Sequence, residues 1–344
     1  MSILMELLQG GIHGLIEYLS AHVITCLVPA LFIAGAISAF VSQAAIINYF
    51  GPQAKKLVSY SVASVSGAIL AVCSCTVLPL FAGIYKRGAG LGPAIAFLYS
   101  GPAINVLAIV YSAKLLGYDI GLARAIGAMV FSVVIGLIMA LIYRKEKSQS
   151  SAQAFTLLTT DLAGKSIWQQ VIFLAVLVAI LIFAASKNWI ATAIFLVALA
   201  IVLWRWFKRG EIVQWLKETL RFTRLIIPWL LVGVFAAGIL KVIVPESWVT
   251  GYVGGNSILA NFIASFLGAL MYFATLTEVP VIKAFMELGM GKGPALALLL
   301  AGPALSLPAM LVLSKIMGTK KMLTYVGLVI VMATITGYIF GLIM

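Results

Sequence analysis

Residues 73–105 read CSCTVLPLFAGIYKRGAGLGPAIAFLYSGPAIN, two apolar runs that meet at a glycine-rich turn and are each broken part-way along. In the first, Cys73-Ser74-Cys75-Thr76 precedes Pro79; in the second, Ser100-Gly101-Pro102 precedes Asn105. Proline removes a backbone donor and clashes with the preceding turn, which frees carbonyls. At membrane depth, freed carbonyls need a protein partner or a water-lined cavity. Adding 201 to each number lands on a second copy, TLTEVPVIKAFMELGMGKGPALALLLAGPALS, from Thr275 to Ser306. Thr76 falls on Thr277, Pro79 on Pro280, Gly92-Pro93 on Gly293-Pro294, and Gly101-Pro102 on Gly302-Pro303. Gap-free agreement at so many helix-breaking positions predicts an internal repeat. Paired broken helices in two halves point to a transport site.

The rest of the chain agrees with a membrane reading. Of 344 residues, 63% are hydrophobic and 10% charged, against roughly 25% charged in soluble domains. The net charge of +13 is assigned to loops that set orientation and meet anionic lipid, so nucleic acid is not an expected partner. A crossing needs about 20 apolar residues. The stretches 21–47, 57–86, 91–117, 121–143, 168–186, 189–207, 222–244, 256–287, 292–318 and 321–343 qualify. The expected fold is an all-α polytopic membrane protein with about ten such segments in two homologous repeats. Residues 1–145 form an amphipathic helix plus four spans, 146–209 a polar linker and two extra spans, and 210–344 a second amphipathic helix plus four spans. The N-terminal SILMELLQGGIHGLIEYLS has no basic leader region, so it reads as a surface helix rather than a signal peptide.

With ten crossings, more basic residues fall on the N-terminal face (Lys86, Arg87, the Arg144–Lys165 connector, Arg205 to Arg224, Lys283 and Lys292) than on the other, where Lys55, Lys56, Arg124, Lys315 and Lys321 lie. That bias predicts a multi-pass inner or plasma membrane protein with both termini cytoplasmic. Six crossings between equivalent elements make the repeats parallel; one re-entrant hairpin per repeat makes them inverted. The sequence leaves both open.

Cys73 and Cys75 lie near the midpoint of 57–86, and in an unwound stretch both sulfurs could line one cavity. Thiolate is a soft ligand, suited to trivalent arsenicals, thiophilic metals or sulfur species. Cys26 reads as a small apolar filler. The second copy replaces Val77 with Glu278. A charged acid there is costly if it faces lipid, so Glu278 is expected to face the interior, as a proton-coupling or substrate-contact group or in an ion pair with a basic residue such as Lys283. Asn105 and Ser306 follow the two Gly-Pro breaks, and each either lines a polar cavity or caps the next half-helix. The GAGLGP and GMGKGP turns lack a phosphate-binding Lys-Ser/Thr pair, and the chain has no HExxH, GxSxG or zinc spacing. No catalytic residue, metal or cofactor is therefore expected, and the chain is not read as an enzyme.

The 73–105 stretch, with its duplicated GxGxGP…GPA pattern, resembles the ArsP/YraQ permease family, and the similarity runs over most of the chain. The resemblance implies efflux of a small thiophilic solute, such as a trivalent organoarsenical, with Cys73 and Cys75 as thiol contacts. The expected mechanism is proton-coupled alternating access, as an antiporter. Ser74, Thr76, Thr277, Asn105 and Ser306 would complete the substrate cavity, and Pro79, Gly101, Pro102, Pro280, Gly302 and Pro303 would supply the breaks. The rivals are a permease for a sulfur compound or other small solute, a membrane thiol oxidoreductase using Cys73 and Cys75, and a passive channel.

Overall fold

The computed structural model describes residues 3–20, 27–40, 55–70, 74–86, 88–144, 167–243, 252–271 and 278–344. Fifteen helices form among them: α1 (Ile3–Tyr18), α2 (Val28–Phe40), α3 (Lys56–Leu70), α4 (Ser74–Lys86), α5 (Leu91–Ala103), α6 (Val106–Leu116), α7 (Tyr118–Ile142), α8 (Ile167–Ala185), α9 (Trp189–Trp206), α10 (Arg209–Ile243), α11 (Ile258–Leu270), α12 (Glu278–Glu287), α13 (Lys292–Ala301), α14 (Leu307–Met317) and α15 (Thr319–Ile343). The fold is all-helical. Five helices, α7, α8, α9, α10 and α15, are long and apolar enough to cross a membrane, or six crossings if α5 and α6, bent by 47° at their junction, count as one.

The offset of 201 recurs in the backbone. Helices α5, α6 and α7 begin at 91, 106 and 118; α13, α14 and α15 begin at 292, 307 and 319. The turn glycines ahead of α7 and α15, Gly117 and Gly318, hold φ of 118° and 89°, a region costly for any residue with a Cβ. Packing follows suit. Helix α5 packs on α3 and α7, and α13 on α11 and α15. A Cβ on Gly136 would stand 2.6 Å from the Gly92 carbonyl oxygen, and one on Gly337 2.6 Å from that of Gly293. Small residues let these backbones touch.

The stretch 256–287, expected as a single crossing, is instead a hairpin. The Gly291 amide donates to the Val253 carbonyl at 3.3 Å, and Gly254 and Met290 form an antiparallel bridge. The segment therefore starts and ends on one face. Its arms of 13 and 10 residues are about 20 and 15 Å long at the helical rise, too short for a core of about 30 Å. The chain leaves α11 at Met271 with ψ of 148°, and Glu278 opens the return arm. In the other copy, Tyr60 of α3 lies against Gly92 at the start of α5, close to where α4 delivers the chain.

Helices α7 and α15 run antiparallel. Tyr143, just past the end of α7, shares a 2.8 Å hydrogen bond with Thr324 near the start of α15, and the Lys321 ammonium lies 5.7 Å from the Tyr143 ring centre. At the opposite end, Asp119 at the start of α7 pairs with Lys292 at 2.7 Å. At the centre, the Tyr99 hydroxyl donates to the Leu300 carbonyl at 2.9 Å, across a separation of 201 residues.

The outer helices complete the bundle. The sequence EIVQWLKETLRF, expected as a separate surface piece, is the first part of the 35-residue α10. That part packs on α2, where the Trp215 indole donates to the Phe32 carbonyl at 2.9 Å. The later part of α10 packs on α1, with Gly14 against the Gly238 backbone. Helix α9 is exposed along most of its length, as suits lipid contact.

Candidate transport site

Helices α5 and α13 meet at the Tyr99–Leu300 contact. Helix α12 packs on α6 and α13, while α4 packs on α5 and α14, so each of these two helices touches both halves of the chain. Two charged side chains lie within this apolar interior. Arg124 of α7 and Glu278 of α12 are both fully buried, with Nη2 and Oε2 3.6 Å apart. Arg124 Nη1 donates to Ser112 Oγ at 2.8 Å, and Ser112 in turn donates to the Ala108 carbonyl at 2.7 Å. Among the described residues, Arg124 Nε and Nη2 and both Glu278 oxygens make no hydrogen bond. A separation of 3.6 Å is an ion pair and exceeds hydrogen-bond reach.

The backbone explains how the acid fits. A Cβ on Gly302 would stand 2.6 Å from Glu278 Oε1, so the Gly302-Pro303 break vacates the space the carboxylate fills. Lys283, the alternative partner, is not the counter-charge. It lies five residues on from Glu278, about 140° around the helix, and Glu278 pairs with Arg124. Glu278 is also sealed from solvent rather than facing an open cavity. A cleft of about 200 Å³ does exist between α2, α3, α4, α5 and α8. Its lining is apolar apart from Ser66, and it offers none of the chemistry discussed here.

The other expected site residues divide. Thr76, Asn105 and Ser306 are buried. Asn105 Oδ1 accepts from the Ala108 amide at 3.4 Å and Ser306 Oγ from the Ala309 amide at 3.3 Å, so both cap the helix after their break. Gly101 and Pro102 end α5, Pro79 lies inside α4, Pro280 lies in α12, and Gly302 and Pro303 follow α13. Cys73, Thr277 and Cys26 lie outside the described residues, as do the side chains of Ser74 and Cys75.

Arg124 is the residue the sequence reading missed, because it was counted among loop cations. The available signal was its setting, Leu122-Ala123-Arg124-Ala125-Ile126, a cation inside an apolar helix that also needs a partner inside it.

No solved structure matches the chain. A relative from Methanocaldococcus jannaschii, the UPF0718 protein MJ0584, is 49% identical, covering 100% of this chain and 98% of its own length. The UPF0718 protein YraQ of Escherichia coli is 21% identical over 77% of this chain and 63% of its own length. The ArsP_1 family, described as predicted permeases, matches residues 9–342. With that match spanning nearly every helix around the buried pair, the chain belongs to the ArsP_1 family of predicted permeases.

Proposed function

We propose that the chain exports a small thiophilic solute, such as a trivalent organoarsenical, by proton-coupled alternating access between two inverted repeats. One observation carries the reading: the sealed Arg124–Glu278 pair. One member comes from the first half of the chain and the other from the second, and they meet beside the Gly302-Pro303 break. A buried acid in a membrane interior is a functional feature by default, and here it joins the parts that must separate for access to alternate. Cys73 and Cys75 hold the cargo through sulfur, and Glu278 carries the proton.

The inverted arrangement has its own support. Equivalent helices α7 and α15 run antiparallel, and Tyr99 touches the position 201 residues along, as a residue near a two-fold axis in the membrane plane does. With a hairpin at 258–287 and its counterpart at 56–86, crossings drop from ten to eight and the hairpin tips approach from opposite faces. This topology also reverses the expected orientation. The Tyr143–Lys321 contact puts Arg144, Lys320 and Lys321 on one face, and α8 and α9 cross and return to bring Arg205, Lys208 and Arg209 there. That basic face is cytoplasmic. On this reading α15 carries the C-terminus to the opposite face, and an inverted first repeat carries the N-terminus there too.

Accumulation of labelled methylarsenite in everted vesicles under a proton gradient tests the mechanism. Cys73→Ser and Cys75→Ser should each abolish it while Cys26→Ser leaves it intact. Glu278→Gln should abolish gradient-driven accumulation yet retain cargo binding. Wild-type accumulation by the Cys73/Cys75 double variant would remove the thiol mechanism. The same result for Glu278→Gln would remove the proton role.

A further inference from the structure

The Arg124 guanidinium presents its donors unevenly. Nη1 is engaged by Ser112 Oγ at 2.8 Å. The opposite edge, formed by Nε and Nη2, makes no hydrogen bond among the described residues, although it is fully buried. That edge is the fork by which arginine binds carboxylates and oxyacid anions through two parallel bonds. Glu278 stands beside it at 3.6 Å, near enough to balance charge but without closing the fork, and both its own oxygens are also unbonded. A buried pair kept for stability would close this geometry, because each unmet charged group costs more than a neutral one.

We infer that the Nε–Nη2 edge of Arg124 is a binding site for a small oxyanion group carried by the cargo, and that Glu278 is its resident competitor. The inference rests on the permease reading above and adds a second chemical requirement to the cargo. Sulfur holds one part of the solute, and an anionic oxygen group docks on Arg124.

Several observations converge on this assignment. Ser112 fixes the far side of the guanidinium, so its open edge has one direction. Burial excludes water from both charges, which strengthens any anion contact in a low-dielectric interior. Gly302 leaves the space that Oε1 occupies, since a Cβ there would stand 2.6 Å from it. The site also lies in the same buried interior as the Tyr99–Leu300 contact. In this conformation both charges are shut off from solvent, as an occluded permease site is.

Competition makes the inference testable. Detergent-purified full-length protein is titrated with thiosulfate, sulfate and phosphate, with chloride as a non-oxyanion control and uncharged phenylarsine oxide as a thiol probe. Binding is followed by isothermal titration calorimetry, with thermal unfolding as the fold control. Wild type should bind at least one oxyanion and discriminate against chloride. Glu278→Gln removes the competitor and should tighten that binding about tenfold or more. Arg124→Gln/Glu278→Gln leaves a neutral, foldable centre and should lose oxyanion binding while keeping phenylarsine oxide. Arg124→Lys, a single ammonium without a fork, should bind at least tenfold more weakly than wild type.

Two outcomes overturn the inference: no oxyanion binding to wild type or Glu278→Gln at millimolar concentration, or unchanged binding in the double variant. If phenylarsine oxide binds through Cys73 and Cys75 in those cases, the thiophilic reading survives without the oxyanion site. Oxyanion binding that depends on Arg124, with no thiol-dependent phenylarsine oxide binding, leaves the oxyanion site standing and removes the thiophilic reading.

Discussion

The helices over 91–142 and 292–343 start at matching positions, turn on matching glycines and pack on matching neighbours, yet they differ in charge at the centre. Arg124 of the first stands where the second has Tyr325, and Glu278 of the second hairpin stands where the first has Val77. Tyr325 is also buried, but its hydroxyl donates locally to the Ala304 carbonyl at 3.3 Å. The backbones are alike where the chain must bend. They diverge at the two positions whose side chains meet at the centre, so the buried charge pair arises where the two segments differ.

Making the two segments alike at those positions should have the largest effect. Arg124→Tyr alone leaves a buried acid without its counter-charge and should cost about 3–5 kcal/mol in thermal unfolding. Adding Glu278→Val gives each copy the residue its counterpart already carries and should recover most of that stability, since apolar replacement of a buried pair is commonly near neutral. Vesicle transport should stay absent. A double variant that transports like wild type would mean the asymmetry has no functional role.

The next contrast is smaller. Asn105 and Ser306 cap equivalent helices, so Asn105→Ala and Ser306→Ala should each cost about 1 kcal/mol. Equal effects on transport would assign both to capping alone, whereas a KM change confined to one would identify the copy that touches the cargo. Tyr99→Phe removes the bond to the Leu300 carbonyl at the axis and should cost about 1 kcal/mol, with kcat affected more than KM if the axis moves during access. Least of all, Lys292→Ala should cost under about 1 kcal/mol, because the Asp119 pair is partly exposed and screened by salt. A loss above 2 kcal/mol would mean that this pair locks its face of the bundle.

The positions of the breaks were legible because proline and glycine act locally. Gly101-Pro102 and Gly302-Pro303 end helices within a residue or two of where the chain reads as broken. The direction of the chain after a break was not legible. Residues 256–287 are apolar throughout, and periodicity is the same for a crossing and for two arms folded back. The only trace was length, roughly 30 residues where about 20 suffice. Arg124 escaped for another reason. Its partner lies in a distant part of the chain, and no local pattern announces an ion pair that forms only because α6 and α13 each pack on both α7 and α12.

The backbone bridge between Gly254 and Met290 pins the foot of the second hairpin and leaves its far end unpinned by any strand or bridge among the described residues. Mechanically this is a lever with its fulcrum at the membrane face. The arm from Glu287 back to Glu278 is about 15 Å long at the helical rise, so a tilt of about ten degrees at the foot would carry the carboxylate about 3 Å. A shift of that size away from Arg124 would lengthen the 3.6 Å separation past ion-pair reach, so on the proposed reading a small change of angle at the foot would break a charge contact at the centre.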